Sequence, residues 1–156
     1  MKPADNLGLI EQYKLYVEMS DRISERRSKA NQFYMVLLSL LLIVASLVVN
    51  QGSKEGFTNH QQIVLLAMGI TGLLTCTVWF ININSYRQLN TAKFKVIHEM
   101  EANLSYACYS QEWELLGHGT DASKYNQLTK VERWVPVILM CPYALLIVYS
   151  TTLILG

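Results

Sequence analysis

The sequence is short of charge. Only 16% of its 156 residues are Asp, Glu, Lys or Arg, against roughly 25% in a typical soluble domain. Neither sign dominates, with 13 basic residues against 12 acidic ones. That balance excludes a strongly basic nucleic-acid binder, and no contact with duplex nucleic acid is expected. Cysteine is scarce as well. Cys76, Cys108 and Cys141 are odd in number and scattered, with no CxxC, which excludes a disulfide framework and a cysteine zinc site. Catalytic signatures are missing: no GxSxG, no P-loop and no GxGxxG occurs. The string HEMEA at 98–102 is not HExxH, and none of His60, His98 and His118 has a second ligand at metal spacing. We expect no metal, no cofactor and no enzymatic activity.

What is present is segregation. Phe33 to Val49 holds 17 residues without a charge, Ile63 to Ile81 holds 19, and Val135 to Leu155 holds 21. A bilayer core of roughly 30 Å needs about 20 apolar residues. Buried helices of a soluble bundle would carry a charged stripe, and these carry none. The expected fold is therefore all-α, an integral membrane protein with three transmembrane helices. The boundaries read 1–32 for an amphipathic helix, 33–49 for the first span, 50–62 for an external loop and 63–81 for the second span. A helical segment at 82–134 and a third span at 135–155 complete the chain.

Orientation follows from the basic residues. Twelve of the 13 lie before the first span or between the second and third; Lys54 alone lies in the first loop. The positive-inside rule then puts the N-terminus and the 82–134 segment in the cytoplasm and the C-terminus outside. No cleavable signal peptide or lipid-attachment motif is evident.

The flanking segments read as helix. From Asn6 to Asn31 there is no proline and only Gly8, and Ile10, Tyr13, Val17 and Ile23 recur near helical spacing. Glu18–Arg22 and Glu25–Lys29 are i,i+4 pairs in the favourable order. One continuous helix is predicted from about Asn6 into the first span, over forty residues and roughly 65 Å long. After Ile81 the seam Ile83, Tyr86, Asn90, Phe94, Ile97, Glu101 and Leu104 follows a 3-4 alternation, so the second span continues likewise. The two extensions form a cytoplasmic helical stalk. A short helix closed by Gly117 follows, then another opened by Asp121 or Ser123 and running through Leu128. Thr129 with Glu132 fits a capping box opening the third span's helix, within which Pro136 and Pro142 predict a bend or a local packing adjustment.

Two sets of side chains are candidates for function. Gln32, Ser39 and Ser46 are seven apart in the first span's helix, and Thr71, Thr75 and Asn82 fall within about 40° of one another in the second. Ala67, Thr71 and Thr75 also make a small-xxx-small row. These polar residues read either as helix–helix packing or as the lining of a pore, which one protomer of three helices is too small to enclose. No ionisable side chain lies inside a span, which argues against a proton-driven pump. The second set is basic: Arg22, Arg26, Arg27, Lys29, Arg87, Lys93 and Lys95. It reads either as attraction to anionic lipid or as a site for a phosphate-rich ligand or a partner protein.

Four strings resemble bacterial proteins of the RipA family of octameric membrane proteins: LYVEMSDRISERRSKANQFY at 15–34, YRQLNTAKFKVIHEME at 86–101, EWELLG at 112–117 and LTKVERWVP at 128–136. The resemblance implies a small inner-membrane protein that self-assembles, and the family name implies eight subunits. It carries over no catalytic residues. Some members are linked to survival inside host cells, and small membrane proteins of this general build also serve as antiphage effectors. Two readings follow. One is a homo-oligomeric pore gated through its cytoplasmic helices; the other is a non-conducting oligomeric scaffold supporting envelope function.

Overall fold

The structure is a computed structural model that describes residues 3–119, 123 and 131–155. Among the described residues the fold is all-α, with four α-helices: α1 Pro3–Glu55, α2 Asn59–Glu101, α3 Cys108–Leu115 and α4 Trp134–Leu155. α1, α2 and α4 are long and apolar enough to cross a membrane. The helix expected through Leu128 and the expected Thr129–Glu132 capping box rest on residues 120–122 and 124–130, outside the described ones.

The two long helices are unbroken, as their lack of internal proline predicts. α1 starts at Pro3, a residue suited to a first helical position because its missing N–H would be unpaired there anyway. α1 outlasts its apolar run and ends beside Gly56, whose φ of +86° favours glycine. Helix thus occupies much of the 50–62 segment, leaving Gly56–Thr58 as the connection. Thr58 and Gln61 form a reciprocal capping box at the start of α2. The Gln61 N–H donates to Thr58 Oγ1 (3.3 Å), and the Thr58 N–H donates to Gln61 Oε1 (2.9 Å). Gly52 lets the Phe57 ring lie directly on α1; a Cβ there would sit 2.3 Å from the ring.

Contacts divide the chain into two compact units. One comprises residues 1–29 and 84–131, the other 30–83 and 132–156. The second unit holds the core cluster Leu38, Cys76, Trp79, Ile83 and Tyr143. Its buried positions recur by sevens: Leu38, Ala45 and Gly52 on α1, Leu65, Gly72 and Trp79 on α2, and Pro136, Tyr143 and Ser150 on α4. That repeat is the seam of helices packed with left-handed supercoiling. α2 and α4 approach closely because Gly69 and Gly72 face α4. A Cβ on Gly72 would lie 2.0 Å from Tyr143 Cδ1, and one on Gly69 would lie 2.6 Å from Ile147 Cγ1. Seated in that notch, the Tyr143 hydroxyl donates to the Leu38 carbonyl at 2.6 Å, tying α4 to α1. The Trp79 indole donates to Asn31 Oδ1 at 2.9 Å and stacks on Tyr34, tying α2 to α1. Pro142 lies inside α4, as the sequence requires.

In the other unit the fully apolar burial is small. Ile97 is buried, but Ser20, Lys93 and Glu101 are buried with it. Ser20 Oγ donates to Asn90 Oδ1 at 3.5 Å, and the Lys93 ammonium lies 4.7 Å over the Tyr16 ring.

Two glycines test this packing in opposite directions. Gly72→Ala forces the Tyr143 ring out of its notch and is expected to cost about 1–3 kcal/mol by overpacking. Gly8→Ala meets nothing within 4 Å in mid-helix and is expected to gain roughly 0.5–1 kcal/mol. Thermal unfolding of the detergent-solubilised protein should show a lower Tm for the first and an unchanged or higher Tm for the second.

Candidate functional site

The polar row on α1 lies outside its own unit's seam. Gln32, Ser39 and Ser46 are all exposed, one position beyond Asn31, Leu38 and Ala45, which face inward. On α2, Thr71 is exposed, while Thr75 and Asn82 are half-buried. The hydroxyls are partly satisfied by their own helices. Ser46 Oγ donates to the Ile43 carbonyl at 2.7 Å and Thr75 Oγ1 to the Thr71 carbonyl at 2.8 Å. Each oxygen keeps lone pairs free for water, an ion or another helix. The close approach inside the unit runs through Gly69 and Gly72, not through Ala67, Thr71 and Thr75.

The basic set is divided among several roles. Arg22 pairs with Glu18 at 2.7 Å and Lys29 with Glu25 at 2.6 Å, both pairs exposed and of the i,i+4 kind. Lys93 is turned inward onto Tyr16. Arg26 is exposed, and Arg27 and Arg87 are half-buried. Lys95 is exposed and lines a cavity of about 500 Å³ between α2 and α3. Among the described residues, no group of three His, Cys, Asp or Glu is placed to hold a metal ion.

Among the described residues, the most organised polar site is one that the sequence reading missed. Glu101, the last residue of α2, is 1% exposed. Its Oε1 accepts from the Tyr13 hydroxyl (2.9 Å) and the Tyr109 N–H (2.8 Å), and its Oε2 from the Ser110 N–H (3.0 Å). Tyr109 and Ser110 are the second and third residues of α3, so the carboxylate caps that helix. Ala107, at the usual capping position, offers no side-chain oxygen. A negative charge at a helix N-terminus also complements the helix dipole. α2 ends beside this site, where Asn103 Nδ2 donates to the Glu99 carbonyl at 3.3 Å. At its other end α3 is closed by Gly117, whose φ of +63° is left-handed, as the sequence predicts. Burial pushes the Glu101 carboxyl up, but the two backbone N–H groups and the Tyr13 hydroxyl outweigh it and hold its pKa below the ordinary value. The Tyr13 hydroxyl is raised by burial first and then by its bond to Glu101.

One signal could have revealed Glu101. It falls in the 3-4 register with Ile97 and Leu104, where a charge enters a packed seam. Its i,i+3 spacing from His98 is equally compatible with an ordinary charged helix face. His98 instead lies half-buried with its ring 6.5 Å from that of Phe94.

Glu101→Gln should uncap α3. It replaces one accepting oxygen by an NH₂ that cannot accept from a backbone N–H. Hydrogen bonds to charged groups contribute about 1.5–3 kcal/mol. Hydrogen exchange of the 105–117 segment should therefore speed up by roughly 10- to 100-fold in E101Q, and less in Y13F, which leaves the backbone bonds intact. The pH dependence has a defined sign. A carboxylate with a depressed folded pKa stabilises above its ordinary pKa, and that contribution is lost as pH falls through the folded value. Protection of α3, corrected for intrinsic exchange, should hold from neutrality to about pH 4.5, the ordinary value, and fall only below it.

Comparison with known proteins adds one finding. No curated protein and no solved structure matches the chain. A family model does match, over residues 10–152, which is nearly the whole sequence and includes the polar rows, Tyr13, Glu101 and α3. The chain belongs to the octameric membrane protein family (8xMP), whose name implies a homo-oligomer of eight subunits.

Proposed function

We propose that eight copies of this chain assemble in a bacterial inner membrane around a pore that the α1 row Gln32, Ser39 and Ser46 lines. The observation that carries this reading is the placement of that row. α1 turns Leu38, Ala45 and Gly52 into its own unit and leaves three uncharged polar side chains, seven apart, uncovered. Facing hydrocarbon, an uncharged polar group costs free energy that water or a polar partner would spare it. A ring of eight copies supplies both the symmetry and the water-filled axis. Thr71, Thr75 and Asn82 on α2 belong, in this reading, to contacts between neighbouring copies, where small hydroxyl residues allow helices to approach.

Orientation belongs to the same proposal. The N-terminus and the 82–134 segment are cytoplasmic, because 12 of 13 basic residues lie in residues 1–32 and 82–134. The four strings that resemble RipA-type members support the inner-membrane assignment. The pore is gated through the segments outside the spans, of which the Glu101-capped α3 is the most organised part.

Planar-bilayer recording of the purified oligomer tests this directly. The expected result is a cation or anion conductance that drops several-fold in the Ser39→Leu/Ser46→Leu double variant, with the eight-subunit particle intact by mass measurement. Thr71→Leu/Thr75→Leu should instead weaken assembly. An intact octamer that passes no current under any condition, or one whose axis holds only lipid, would sink the pore and leave the scaffold.

A further inference from the structure

The cavity between α2 and α3 lies apart from the polar rows. It has about 500 Å³ of space, within the range of roughly 300–1,000 Å³ typical of small-molecule sites. Its walls are mainly rings. Phe94 and Tyr109 meet edge to face at 5.6 Å, and Trp113, one turn beyond Tyr109 on the same face of α3, also lines the cavity. The polar groups in it are few and mostly donors. Among the described residues Lys95 makes no ion pair or hydrogen bond, and neither does the Trp113 indole N–H. His98 is half-buried at the Phe94 ring, and Glu112 is the single acidic group among the described lining residues. The wall is held in advance, because the Tyr109 N–H is fixed on the buried Glu101 carboxylate. A rigid site is what lets rings act as a clamp without paying to order them.

We infer that this cavity binds a planar heteroaromatic molecule that carries one anionic group, a phosphate or a carboxylate. The ring lies among Phe94, Tyr109 and Trp113, where stacking is favourable for any π-face. The anionic group meets the exposed Lys95 ammonium, unpaired among the described residues, in a charge-assisted hydrogen bond. Glu112 accepts from a ring N–H or an exocyclic amine, and so favours nitrogen heterocycles over plain arenes. This inference does not rest on the pore: it holds whether the assembled protein conducts or only organises the membrane.

Calorimetric titration of the detergent-purified full chain, with four probes, tests it. AMP carries ring and phosphate, indole-3-acetate ring and carboxylate, adenosine the ring alone and inorganic phosphate the anion alone. We expect AMP or indole-3-acetate to bind with Kd no weaker than about 1 mM, adenosine about tenfold more weakly than AMP, and phosphate not at all. Which of the two acids binds distinguishes phosphate from carboxylate. Lys95→Gln should weaken the acid that binds by about tenfold and leave adenosine unchanged. Trp113→Leu should weaken every ring probe, and Trp113→Phe should restore most of it. Unchanged hydrogen exchange in the 105–117 segment confirms that each variant keeps α3 in place, and Lys95→Gln, at an exposed position, leaves a usable variant if Trp113→Leu does not. Failure of both acids to bind, as when a neighbouring copy fills the cavity, overturns the proposal. So does binding that neither Lys95→Gln nor Trp113→Leu alters.

Discussion

An α-helix can turn only one stripe toward a given neighbour, and in this chain that limit governs everything else. In the membrane-competent helices the stripe is narrow. Only 11%, 28% and 11% of the most apolar windows of α1, α2 and α4 are buried. Between lipid-solvated helices there is no hydrophobic drive to associate, since lipid tails are as apolar as leucine. The unit that contains residues 30–83 therefore depends on shape and on buried hydrogen bonds. The Gly69–Gly72 notch lets Tyr143 in, and the Tyr143 hydroxyl and the Trp79 indole each find an oxygen on α1. α2 is the most buried of the three because it meets α1 through Trp79 and α4 through its glycines.

The other unit solves a different problem. Its helices carry charge on most faces and bury little apolar area, so ordinary core packing contributes less. A carboxylate takes the place of a core residue. Glu101 gathers three donors from α1 and from α3, and a buried charge is tolerable only when it is satisfied in this way. The arrangement has a structural consequence: α3 is eight residues long, too short to be stable alone. Its position is set by the carboxylate at its N-terminus and by Gly117 at its end, and through it the shape of the neighbouring cavity is set too.

Much of this was legible in the sequence, for physical reasons that can be named. The three spans follow from charge-free runs, and the unbroken extensions of α1 and α2 follow from the lack of internal proline and the scarcity of glycine, with Gly8 alone between Asn6 and Asn31. The seam from Ile83 to Leu104 showed in its 3-4 spacing, and the end of α3 in Gly117. The failures are equally specific. Residues 50–62 read as loop because their composition turned polar, yet a helix ends where its backbone is released, here at Gly56, and not where hydrophobicity ends. The Thr58-x-x-Gln61 capping box is a helix-start signal that sits inside this same polar stretch. Gly69 and Gly72 were read only as members of an apolar run, although a glycine inside a helix loses stability against alanine and calls for a reason of its own. Glu101 was hidden because sequence spacing marks which residues share a face, but not whether a second and a third helix close over that face.

The uncovered surface is what makes a single copy incomplete. Phe33, Leu40, Ile43, Leu47, Ile63, Leu74, Ile138 and Leu145 are all more than half exposed, and each is content against lipid. The polar row Gln32, Ser39 and Ser46 is not equivalent to them, although it occupies the same helix and is equally uncovered. Lipid satisfies an exposed leucine fully; it leaves a glutamine amide or a serine lone pair with nothing to accept or donate. Self-bonding to the preceding turn, as Ser46 does with Ile43, relieves a hydroxyl in part, but a glutamine amide at Gln32 presents two donors and an acceptor that its own helix does not take up. The asymmetry between these two kinds of exposure on one helix is the physical reason to put the α1 row toward other copies or toward water. Membership of a family whose name implies eight subunits then supplies the copies.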